Sequence, residues 1–176
     1  MKEKEIVKFW LEDIVIGLNL CPFAKVPYEK GLVDISFCLF LEEEKRTNFF
    51  LDSLERVILH PENEFNSLVV FPRLVDHFED FNDWVGFLED LLADQKIDQY
   101  VQLVAFHPDF RFADSDDERA NLVNSSPYPI IHILKTAAIN QVMSNPKDAE
   151  KISQLNTEKL HALTPEEVKA KFFWKK

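Results

Sequence analysis

A thiol and two imidazoles stand in three short polar stretches of this chain. Cys21 lies in Leu18-Asn19-Leu20-Cys21-Pro22-Phe23-Ala24. His107 lies in Phe106-His107-Pro108-Asp109-Phe110-Arg111-Phe112, and His132 lies within Asn124 to Lys135. A thiol is a nucleophile once ionised, and an imidazole is the usual base beside it. Cys21 is therefore the expected nucleophile or redox thiol, with His107 or His132 as its base. Asp109 and Arg111 follow His107 on one loop, while Asn124, Ser126, Tyr128 and Lys135 surround His132. These six are the expected ligand-binding groups, suited to a small polar or anionic molecule.

The pattern thus points to a small-molecule enzyme with a Cys/His pocket. The same groups would also serve a non-catalytic module that binds a small ligand or a partner, or a Cys/His metal-binding protein. Each residue also has a plainer use. Free cysteine is among the most buried residue types, and the end of a helix has the wrong dipole sign to ionise Cys21. His107 can be a turn histidine, and Ser125 and Ser126 can satisfy backbone groups. Cys21, His107 and His132 lack the short spacings of a metal site, so no metal ligands are assigned. The cofactor is left open. There is no G-x-x-x-x-G-K-[ST], G-x-G-x-x-G or G-x-S-x-G run, which argues against a P-loop, a dinucleotide site or a hydrolase elbow.

The elements that must hold these groups are read from periodicity. Val7, Trp10, Leu11, Ile14, Val15 and Leu18 predict a helix over residues 3 to 18, ended by Asn19 and Pro22. Residues 22 to 31 read as a loop. Residues 33 to 41, 67 to 71 and 99 to 106 read as strands. Helices are predicted over 47 to 59, with Thr47 as its cap, and over 78 to 94. His107 then falls at the carboxyl edge of the third strand, where ligands bind in open α/β sheets. A helix is expected from Pro129 through Val142, which puts His132 in its first turn and Lys135 on the same face. Its free N–H groups would hold an anion. Asn145-Pro146 and Thr164-Pro165-Glu166-Glu167 start two more helices. The fold class is α/β or α+β: a small three- to four-stranded parallel or mixed sheet, flanking helices and a helical C-terminal layer. Residues 1 to 163 form one domain and 164 to 176 a helical tail.

Composition bounds the rest. The chain has 176 residues, 46% of them hydrophobic, which suits one domain with a core. With 20 Lys and Arg against 31 Asp and Glu, nucleic acid and anionic membrane are poor partners, though a local basic pocket is compatible with that balance. Neither Cys21 nor Cys38 sits in a C-x-x-C pair. The N-terminus lacks the apolar core of a signal peptide, and no apolar run is long enough to span a bilayer. A cytoplasmic protein with reduced thiols is expected.

Taken in order, the three motifs resemble those of an uncharacterised bacterial family, the domain-of-unknown-function family 1415. The resemblance covers roughly residues 5 to 160. It implies a soluble bacterial protein and brings no established activity. The family pattern has an aromatic hydroxyl where this chain has Phe110, and arginine where it has Ser125 and Lys135. Those departures weaken an arginine clamp on an anion and leave Cys21, His107 and His132 in place.

Overall fold

The computed structural model describes residues 2–74, 78–113, 116–143 and 145–175. His77 and Asp114 lie outside them. The first helix, α1 (Lys2–Phe9), runs on into a wider π-helical segment, Trp10–Ile16. Here the backbone bonds reach back five residues, from Gly17 N–H to Glu12 O and from Leu20 N–H to Val15 O. Asn19, at φ 51°, reverses the chain. Residues 22 to 31 are not all loop, because Lys25–Glu29 closes one short helix, α2.

Next come β1 (Val33–Phe37), α3 (Glu43–Leu59), β2 (Asn66–Val70), α4 (Phe78–Asp94) and β3 (Val101–Phe106). A single helical turn, α5 (Glu118–Asn121), precedes β4 (Ile130–Lys135), α6 (Thr136–Val142), α7 (Pro146–Ala162) and α8 (Pro165–Lys171). The sheet is mixed, in the order β1-β2-β4-β3. β1 and β2 are parallel, and β4 runs antiparallel to both its neighbours.

β4 corrects the helix expected from Pro129. All six of its residues are buried. A central strand covered on both faces shows no apolar–polar alternation, so its pattern resembles that of a buried helix. Its β-branched isoleucines favour the pleated conformation. Pro129 has no N–H to give, but its carbonyl accepts from Phe71 N–H at 2.9 Å and leads into the sheet. The insertion of β4 also separates β2 from β3, so the crossover through α3 joins neighbouring strands and the one through α4 does not.

Side-chain alternation along the strands makes two cores. Leu68, Val70, Phe106 and Ile130 pack under α1, its π-helical extension, α7 and the chain end. Val69, Val101, Ile131 and Ile133 pack under α3 and α4. The tail is part of the first layer. Phe172 is 1% exposed, and Trp174 Nε1–H donates to Ser125 Oγ at 3.1 Å. Residues 164 to 175 therefore close the domain. Among the described residues, no helix is long and apolar enough to cross a membrane.

Candidate functional site

Between the first face of the sheet and the helices α6 and α7 lies a cavity of about 330 Å³. Its walls are mainly apolar, with Val15, Val104, Leu134, Ile139 and Ile152 among them. Cys21, Asn124 and His132 also line it, so residues from the first and third motifs meet there. The second motif contributes Phe106 and Phe112.

The local structure explains this meeting. Asn156, on the apolar stripe of α7 with Ile152 and Leu160, donates Nδ2–H to the Leu20 carbonyl at 2.7 Å and holds the Cys21 turn. Asn124 donates Nδ2–H to the Ala105 carbonyl at 3.1 Å, while His107 N–H donates to the Asn124 carbonyl at 3.1 Å. The third motif is thus laced to the end of β3.

His132 is 7% exposed and projects from β4 onto the same face as Asn66. Asn66 donates Nδ2–H to the Glu64 carbonyl at 3.0 Å, which fixes its amide. Its Oδ1 then accepts from His132 Nε2 at 2.9 Å. A neutral imidazole carries one N–H, so Nδ1 is left as an acceptor. No described residue donates to it. Burial pushes the His132 pKa down to about 4, so the ring is neutral at pH 7.

Cys21 is half-buried. Burial raises its thiol to about 11, opposed by the Phe23 backbone. Among the described residues, no hydrogen bond joins it to either histidine. The thiol is neutral at pH 7 as well. None of the described lining residues carries a charge.

Several expected site residues lie elsewhere. His107 is fully buried, but against Phe78 and Phe81 of α4, at ring centroid distances of 5.3 and 5.6 Å. Its Nδ1 accepts from Asp109 N–H at 3.0 Å. Its Nε2 has no partner at full hydrogen-bond geometry among the described residues, although the Leu74 backbone is near enough to act on the ring. Burial lowers its pKa, partly opposed by the Leu74 backbone and by Asp109. His107 is thus a turn histidine within the α4-side core. Asp109 is exposed, and it is its backbone that serves His107. Arg111 is exposed and pairs with Glu79 at 2.9 Å.

Lys135 is also corrected. On a helix it would share a face with His132; on a strand, an odd spacing sends it to the opposite one. It lies on the α3 side, where Nζ donates to the His60 carbonyl. Burial lowers its pKa, opposed by Glu62. Ser126 Oγ–H donates to the Tyr128 carbonyl, a turn contact, and Tyr128 packs half-buried beside the first core. Ser125 accepts from Trp10 Nε1–H at its carbonyl, 2.9 Å away. No anion-binding helix start exists at Pro129.

Sequence reasoning missed Asn66 and Asn156. The signal for Asn156 was present, as a polar residue on the stripe Ile152–Asn156–Leu160. Among the described residues, no cluster of three or more His, Cys, Asp and Glu is arranged to hold a metal.

These features define a mixed α/β protein with an uncharged cavity between sheet and C-terminal helices. The chain belongs to the family described as "Protein of unknown function (DUF1415)", whose model matches residues 2–170. No curated protein and no solved structure matches it.

Proposed function

We propose that the chain is a binding module for a small, uncharged, mainly apolar molecule carrying a hydroxyl or N–H donor. The observation that carries this reading is the uncharged cavity lining, which includes His132, whose Nδ1 has no donor among the described residues. A cavity of about 330 Å³ is at the small end of ligand sites, which are mostly apolar with a few placed polar groups. An ionised ligand would leave water for walls that offer no counter-charge, which is costly. The neutral Cys21 thiol fits a contact role better than a thiolate one. Cys21 and Cys38 belong to cores on opposite faces of the sheet, and two such unpaired thiols support a reducing, cytoplasmic setting.

The test is thermal unfolding with neutral phenols such as 4-propylphenol and 1-naphthol, against 4-propylbenzoate as the charged control. The neutral compounds should raise Tm in a saturable way, as binding to the folded state requires. Val104→Trp, which fills the cavity, should abolish the rise. If none of the phenols raises Tm, or Val104→Trp responds like the wild type, the reading fails.

A further inference from the structure

A second pocket of about 330 Å³ opens on the other side of the sheet. It is lined by Leu41, Arg46, Arg73, Leu74, Asp80, Phe81 and Trp84, and its chemistry is the reverse of the cavity's. Leu41 follows β1, and Arg73 and Leu74 follow β2. The pocket therefore lies beyond the carboxyl ends of two parallel strands, where open α/β sheets bind ligands. Arg46 comes from the start of α3, and Trp84 from the second turn of α4.

The two guanidinium groups are held differently. Arg46 stacks over the Trp84 ring at 4.8 Å and donates Nη1–H to the Leu41 carbonyl at 3.0 Å. Its side chain is only 15% exposed, and Glu43 reaches Nη2 at a long 3.4 Å. The Arg46 Nε–H is buried with no acceptor among the described residues. A buried guanidinium donor without a partner is costly, and an anion beside this guanidinium would offset that cost through its charge. Arg73 is exposed and makes no hydrogen bond or ion pair among the described residues.

We propose that this pocket binds a small carboxylate that carries an aromatic or branched apolar group. Two guanidinium groups face one lining carboxylate, Asp80, and Glu43 pairs with Arg46 from outside the lining, so the positive excess is at most one charge. That balance matches a monoanion better than a phosphate monoester, which carries about −1.5 to −2 at pH 7. Leu41, Leu74, Phe81 and Trp84 supply an apolar wall for the rest of the molecule. Arg46 is a preset fork, fixed by its stacking, and Arg73 closes on the carboxylate from solvent. The site is independent of the cavity, from which the sheet separates it.

The test is calorimetric titration of the full chain with 3-phenylpropanoate, phenyl phosphate and inorganic phosphate. Saturable binding of 3-phenylpropanoate is expected, tighter than either phosphate, and weakened by added salt. Arg73→Gln removes no hydrogen bond or ion pair among the described residues, so the variant should fold normally. It should weaken binding about tenfold or more, as loss of a charge-assisted contact does. Val104→Trp, which fills the opposite cavity, should bind as the wild type does. The proposal is overturned by absence of saturable binding, by undiminished affinity in Arg73→Gln, by tighter binding of phenyl phosphate, or by loss of binding in Val104→Trp.

Discussion

Acidification should weaken the fold through His132. In the unfolded chain the ring has its ordinary pKa of 6.5, and in the folded chain burial lowers it to about 4. Above 6.5 the ring is neutral in both states and the linkage vanishes. Between 6.5 and 4 the unfolded state takes up the proton and the folded state refuses it, so stability falls with pH. Below 4 both states are protonated and the loss stops growing. At about 1.4 kcal/mol for each pKa unit, the full loss is about 3 kcal/mol. That is a large part of a typical stability of about 5–15 kcal/mol.

The assay is urea unfolding at pH values from 7.5 to 4.5, for the wild type and His132→Gln. Carboxylates and His107 titrate in both proteins, so the difference between the two curves isolates His132. The substitution itself should cost stability at pH 7.5, through the Asn66 contact. The difference should then shrink as pH falls, by about 2–3 kcal/mol at pH 4.5. A difference that stays constant with pH would refute the argument. So would a His132 ring that titrates near 6.5 by NMR in the folded protein.

Three further outcomes follow from other parts of the fold. A Cβ on Gly17 would stand 2.5 Å from the Asp13 carbonyl, within the π-helical exit, so Gly17→Ala should cost about 1–3 kcal/mol in urea unfolding. Alkylation of Cys21 in a Cys38→Ala background should be slow at pH 7 and still accelerating above pH 9, because the thiol is raised to about 11; a plateau below pH 8.5 would show an activated thiolate instead. Phe172→Ala should cost about 3–5 kcal/mol by the same unfolding assay, since its ring is buried in the first core and leaves a cavity behind.

What the sequence made legible depended on how strongly each segment repeats. The run Phe81, Trp84, Val85, Leu88 and Leu92 marks α4 at its observed bounds, because a one-sided helix repeats cleanly. Asn145 and Thr164 mark α7 and α8, because a side chain that caps a backbone is a local event. Thr47 misled for the same reason. It looks like a cap, yet α3 already starts at Glu43, and Thr47 Oγ1 instead accepts from Trp84 Nε1–H at 3.3 Å. The charged run from Glu43 to Arg46 has no apolar signal to betray a helix. Cys21, Asn124 and His132, which line the cavity, drew notice in the sequence because polar groups in apolar surroundings stand out. Arg46 and Arg73 were not, since in sequence they look like ordinary solvated charge. Only the end of β2, laid beside the end of β1, brings them together.

β4 makes the two faces chemically different. Because it lies between β2 and β3, its residues reach both faces. His132 goes to one and Lys135 to the other, three positions apart. On a helix this spacing would have joined an imidazole and an ammonium in one anion site. On the strand it leaves the imidazole among neutral groups, where burial keeps it uncharged, and it takes the ammonium away to the His60 carbonyl. The cationic chemistry left for a ligand is then at the ends of β1 and β2, on the α3–α4 side. The two proposed ligands differ in charge for this reason. A neutral donor suits the face that has Nδ1 and no charge, and a carboxylate suits the face that has two guanidinium groups. A single anionic substrate spanning Cys21, His132 and Lys135 would have to cross the sheet.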